Sequence, residues 1–219
     1  MVARYMPAFS TLLVFSLAAL ALIAVPGPNH VYIVTRGIGQ GRRAAVASAF
    51  GVETATLLHA AAAAAGLSAV LASSALAFSV VKYLGVAYLL YLGVRTLLRE
   101  GEELGLEAHG ETERLGRVYL QGVLTNALNP KVALFFLAFL PQFVDPSRGS
   151  AAAQVLVLGG LLAALGLCSD LLYAASSGAV GRWLSRRPAF VRRQRYLTGS
   201  VYLALGVAAA ATGGGRQRG

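Results

Sequence analysis

The chain has 219 residues, 57% of them apolar and 13% charged, with a mean hydropathy of +0.65 and a formal net charge of +10. A water-soluble domain of this length does not carry that composition, so that class is excluded and an all-α integral membrane protein is expected. The single cysteine, Cys168, excludes an intramolecular disulfide framework and a cysteine-rich metal centre.

A hydrocarbon core about 30 Å thick requires about 20 apolar residues per helix. Six stretches are candidates: Pro7–Val25, Ala44–Leu71, Ala75–Leu98, Val118–Leu140, Ala151–Val180 and Leu197–Ala211. Their Ala, Leu and Gly content predicts helices rather than the two-residue alternation of barrel strands. The sixth is short, and five spans with a surface-lying last segment is the alternative. Arg4 and the small residues around Ala24 imitate a secretory signal, but the apolar run continues to Thr35, so this segment is expected to stay as a span.

In chain order, the first anomaly is Val25-Pro26-Gly27-Pro28-Asn29. Two prolines remove two backbone donors and flank a glycine, so the helix is expected to break there. Glu53 follows in the second span, roughly 13 Å from its start at helical rise. His59, further along that span, reads as a hydrogen-bonded interhelical residue. The third span leads into Glu100–Glu113, a loop holding six of the nine acidic residues, which reads as a solvated cytosolic linker. Asn129-Pro130-Lys131 then breaks the fourth span, with Asn126 one turn upstream. Asp145 precedes Pro146 in a turn where water satisfies it. Asp170 lies in the fifth span, roughly 18 Å from Arg182, and nearby Cys168 reads as a small buried hydrophobe. Residues 213–219 are expected to form a disordered tail.

Thirteen of the 17 arginines fall in the odd loops: Arg36, Arg42 and Arg43; Arg95, Arg99, Arg114 and Arg117; and six from Arg182 to Arg195. The positive-inside rule places these loops in the cytoplasm and both termini outside. The charge is therefore topological, and no nucleic-acid partner is expected.

A carboxylate at mid-bilayer costs several kcal/mol unless it is protonated, paired or hydrated. Glu53 and Asp170 are thus candidate proton or substrate-ammonium sites, the alternative being structural hydrogen bonding between helices. Unwound backbone at that depth is tolerated only against protein or a watery cavity, and the helix start after each break presents N–H groups and a positive dipole end. Such ends suit an anionic group, and Lys131 adds a cation.

The chain also repeats itself, since Lys82–Val94 resembles Arg195–Val207 with two short gaps. The same offset matches broken span one with broken span four, and Glu53 with Asp170. A three-span unit must re-enter the membrane inverted, an arrangement typical of transporters with a site near the midplane. Chance likeness among Gly-, Leu- and Tyr-rich helices is the alternative. The expected organisation is a first three-span repeat at 1–99, an acidic cytosolic linker at 100–116, a second, inverted repeat at 117–212 and the tail.

Pro26-Gly27-Pro28-Asn29, followed by Arg36-Gly37 and Gln40-Gly41-Arg42-Arg43-Ala44, resembles the opening of the LysE/RhtB family of amino-acid exporters. The resemblance continues through Gly51 and His59, Lys82-Tyr83, Gly85, Ala87-Tyr88-Leu89 and Leu92-Gly93. It then takes in Leu124-Thr125-Asn126, Leu128-Asn129-Pro130-Lys131, Phe139, Pro141-Gln142-Phe143, Asp170, Gly199, Tyr202 and Gly206. It covers nearly the whole chain. One departure is that Ala55 stands where many relatives carry glycine and Thr56 where an acid is often found, which leaves Glu53, nearly one turn earlier, as the acid of this span that would substitute in carrying the proton.

The resemblance implies export of amino acids or derivatives such as lysine, threonine, homoserine or leucine across a bacterial inner membrane, in exchange for protons. The expected pathway comprises Pro26, Gly27, Pro28, Asn29, Glu53, Thr56, Asn126, Asn129, Pro130, Lys131 and Asp170. The substrate carboxylate would be held by the helix ends after Pro28 and Pro130, by Lys131 and by the amides of Asn29, Asn126 and Asn129. Its ammonium would face Glu53 or Asp170, and protonation of that acid would release the cargo outside. Expected partners are the substrate, protons and the lipid bilayer, with a homodimer left open. No cofactor and no enzymatic motif is expected. A divalent-metal or other cation exporter, for which the spans offer few ligands, and a non-transporting scaffold are the rival readings.

Overall fold

A computed structural model describes residues 7–25, 27–73 and 113–185, with isolated helical positions between 83 and 98 and between 196 and 207. Most of the third and sixth expected spans, linker residues 100–112, the tail and Pro26 lie outside the described residues. Among the described residues every regular element is helical: α1 (Phe9–Ala24), α2 (Pro28–Gln40), α3 (Arg42–Ser73), α4 (Leu115–Ala127), α5 (Pro130–Leu134) and α6 (Ala151–Ser185). A π-helical stretch, Phe135–Phe139, and a 3₁₀ turn, Leu140–Phe143, continue α5.

Both breaks fall at the proline motifs. Pro28 and Pro130 each open a new helix, where the missing N–H is no loss. The axes bend by 54° between α1 and α2 and by 50° between α4 and the Lys131–Phe143 segment. Two helices, α3 and α6, are by themselves long and apolar enough to cross a membrane, and the described residues offer up to four spans if each bent pair is one.

Close contacts set the directions of packing. Gly159 meets Ala60, Gly166 meets Glu53, and Ser177 meets Gly37 beside Ala45, so α6 runs antiparallel to α3. Gly122 lies against the Ser48 carbonyl while Asn126 bonds Val52 and Thr56, so α4 runs parallel to α3. Gly51 lies so close to the Tyr119 carbonyl that a Cβ there would collide with backbone. Gly41, with φ of 84°, makes the turn from α2 to α3.

The main core joins Phe15, Ala19 and Leu22 of α1 to Phe135, Phe136, Phe139 and Leu140, and to Val155, Leu158 and Leu162 of α6. Phe15 meets Phe135 at 5.7 Å and Phe143 edge-on at 5.3 Å. Phe9, Leu13, Leu17 and Leu20 on the opposite side of α1 are exposed, a surface that suits lipid rather than water.

Two sequence expectations need correction. Arg36 is not a loop charge; α2 continues to Gln40, and Arg36 is buried at 7% exposure within it. Cys168 is exposed, because Gly166, Asp170, Ala174 and Ser177 form the inward stripe of α6 and position 168 points away from them.

Candidate functional site

The two breaks meet. Lys131, in the first turn of α5, reaches across and donates from Nζ to the Val25 carbonyl at 2.7 Å, placing its charge at the C-terminal end of α1. Asn129 caps α5, its Oδ1 accepting from the Lys131 N–H at 3.0 Å. Its Nδ2 donates to Asn29 Oδ1 at 3.0 Å, and Asn29 Nδ2 donates to Asn126 Oδ1 at 2.8 Å. Asn126 completes the chain by donating to the Val52 carbonyl at 2.6 Å and to Thr56 Oγ1 at 2.9 Å.

A cavity of about 50 Å³ lies beside this amide chain. It is lined by Leu22, Ile23, Gly27, Asn29, His30, Glu53, Thr56, Asn129, Lys131, Val132, Leu162, Gly166 and Asp170. Glu53 from α3 and Asp170 from α6 bring their carboxyl groups within hydrogen-bonding reach of each other. Glu53 Oε2 and Asp170 Oδ2 are both buried and have no donor partner among the described residues. Two carboxyls so placed can bond only through a proton, or through a cation that comes between them.

The structure thus gathers Gly27, Asn29, Glu53, Thr56, Asn129, Lys131 and Asp170 around one space. Pro28 and Pro130 start the helices beside it, and Pro26 lies outside the described residues. Asn126 does not line the cavity; fully buried and hydrogen-bonded on both amide atoms, it ties α2 to α3 and α4. His59 also stands apart, near the Asn126 carbonyl at 3.4 Å and stacked on Phe136.

Sequence reading missed two residues here. Gly166 has no local signal, yet a Cβ there would lie 2.9 Å from Glu53 Cδ, so its bare backbone makes room for the carboxyl. His30 follows the Pro28-Asn29 pair by one residue and could have been marked as the third residue of α2, the position from which a side chain returns to the helix start. Its Nδ1 accepts the Gly27 N–H at 3.3 Å, its Nε2 lies 3.7 Å from Asp170 Oδ1, and its ring packs 4.5 Å from that of Tyr173.

A second polar group continues from this site along α2. Tyr32 donates to the Val118 carbonyl at 2.6 Å, and Arg36 bonds Gln121 and, at 3.2 Å, Glu113. Asn29, Tyr32 and Arg36 therefore form one stripe facing α4.

A profile of the LysE type translocator family matches residues 20–213. The chain belongs to this family. Its members are transporters, not enzymes, and the LysE assignment agrees with the apolar helices of a multi-pass membrane protein. This LysE-family chain is 30% identical over 197 residues to an uncharacterized membrane protein of Vibrio cholerae serotype O1, covering 89% of this chain and 94% of that one. It is 29% identical over 198 residues to the homoserine/homoserine lactone efflux protein of Salmonella typhimurium, covering 90% and 93%. The leucine efflux protein of the same organism is 24% identical over 189 residues, covering 86% and 89%. No solved structure matches the chain.

Proposed function

We propose that this LysE-family protein exports a small amino acid or amino-acid derivative from the bacterial cytoplasm across the inner membrane, in exchange for protons. The observation that carries the reading is the pairing of Glu53 with Asp170 in a buried cavity where two broken helices meet beside Lys131. If both carboxyls were ionised, the acids and Lys131 would together leave one negative charge in a low-dielectric site. One proton held between the carboxyls removes it.

A substrate ammonium can take that proton's place between the same oxygens. The substrate carboxylate then faces Lys131 and the free first-turn N–H groups of α2, since Asn129 already caps α5. Leu22, Ile23, Val132 and Leu162 leave an apolar wall for an uncharged side chain. That wall agrees with the homoserine and leucine named for two relatives. A proton arriving from outside displaces the ammonium, and its loss to the cytoplasm resets the pair.

On this reading residues 1–99 and 117–212 are the inverted repeats that rock about the site, with 100–116 a cytosolic linker and both termini, including the 213–219 tail, outside. The test is export from proteoliposomes loaded with homoserine or leucine, with and without a pH gradient. Wild-type protein should concentrate substrate uphill when the gradient is applied, and Glu53→Gln with Asp170→Asn should abolish the gradient dependence. Gradient-driven export that survives the double substitution overturns the proposal.

A further inference from the structure

We infer that His30 is the positioning residue that links the acid pair to the first helix break, an inference that rests on the exchange reading above. A neutral imidazole has one donor and one acceptor nitrogen, and the bond made by one assigns the other. Nδ1 accepts from the Gly27 N–H, so the ring proton belongs on Nε2. That nitrogen is buried, points toward Asp170 Oδ1 at 3.7 Å, and has no hydrogen-bond partner among the described residues. His30 itself is only 7% exposed.

An unpaired buried donor held just beyond bonding distance of a carboxyl gains a hydrogen bond from a small approach of α2 to α6. Whether that approach is favourable depends on Asp170. With a proton shared between Asp170 and Glu53, the pair carries a single negative charge spread over both groups and Asp170 is the weaker acceptor; with the proton gone, Asp170 is a full carboxylate and accepts from Nε2–H more strongly. The other groups facing the ring are Tyr173 of α6, Glu53 of α3 and Lys131 of α5, while α1 contributes only Leu22 and Ile23. Because the same ring holds the Gly27 N–H, any movement toward Asp170 carries the start of α2 with it. The state of the acid pair is thereby converted into movement of the break.

Two substitutions separate the two nitrogens. In His30→Asn the side-chain oxygen takes the place of Nδ1 and keeps the Gly27 contact without reaching Asp170; in His30→Gln an amide nitrogen takes the place of Nε2. The measurement is the ratio of gradient-driven export to substrate–substrate exchange at equal pH in proteoliposomes. We expect that ratio to fall about tenfold or more in His30→Asn and to recover to within about threefold of wild type in His30→Gln. A wild-type ratio in His30→Asn, or equal loss in both variants, overturns the link. Should either variant fail to fold, ¹⁵N-histidine spectra of the wild-type protein decide instead. The chain has three histidines, and His30 should be the Nε2–H tautomer with a ring resonance that shifts in Asp170→Asn; an Nδ1–H tautomer overturns the inference. Asp170→Asn assayed in parallel distinguishes the failures. Retained coupling there defeats the exchange reading itself, whereas coupling lost there but kept in His30→Asn defeats only the role of His30.

Discussion

Gly166 and Asn126 show how much of this site depends on residues that are not themselves candidates for binding cargo. A methyl group at 166 lands on the Glu53 carboxyl, so Gly166→Ala should displace that acid from Asp170. Export should fall by about tenfold or more, equivalent to about 1.4 kcal/mol, with little change in melting temperature. Uptake of radiolabelled substrate into inside-out vesicles, beside a thermal-shift assay, checks both halves. Asn126→Ala should do the reverse of this separation. It removes a buried amide that bonds Asn29, Val52 and Thr56, so a stability loss of about 1–3 kcal/mol is expected from the partners left unpaired. Thermal unfolding in detergent measures it.

At the level of elements, the broken helices are held by different devices. Lys131 and the Asn129–Asn29–Asn126 chain clamp the breaks to each other, while the stripe Asn29, Tyr32 and Arg36 fastens α2 along α4. Arg36 is nearly buried, and Glu113 supplies its carboxylate partner. Glu113→Gln should therefore cost about 1–3 kcal/mol of stability, most of it from a guanidinium left without its counter-charge. Equal melting temperatures for wild type and variant in low salt would show that Gln121 alone suffices. The proline motifs made both breaks legible in advance, because a missing N–H acts locally whatever surrounds it. The stripe along α4 was not legible. Arg36 in a linear sequence is one more arginine among those that orient the loops, and only the continuation of α2 past it turns the charge inward.

For the whole molecule, the parallel course of α3 and α4 and the antiparallel course of α6 support the proposed six-span alternation, in which these helices would be the second, fourth and fifth spans. On the proposed topology the Arg42–Arg43 turn lies in the cytoplasm and the Arg148 turn on the opposite side. In a Cys168→Ser background, Arg43→Cys should react with an impermeant maleimide only in inside-out vesicles, and Arg148→Cys only in right-side-out ones. Both positions are exposed, so labelling reports sidedness rather than access. Reaction of both from one side would reverse the orientation or break the alternation.

Sequence by itself determined the membrane class, the family, the two break points and the presence of acids and a lysine within apolar segments. These follow from composition and from residues whose effects are local: proline on its own backbone, a charge on its own solvation. Only the tertiary structure decided that Glu53 and Asp170 face each other, that Asn126 is a tie rather than part of the cavity wall, and that His30 and Gly166 belong to the site. Those outcomes depend on the register of α6 against α3 and of α2 against α4. Register comes from the fit of small residues such as Gly51, Gly122 and Gly159 against neighbouring backbone and side chains, and no single segment carries it.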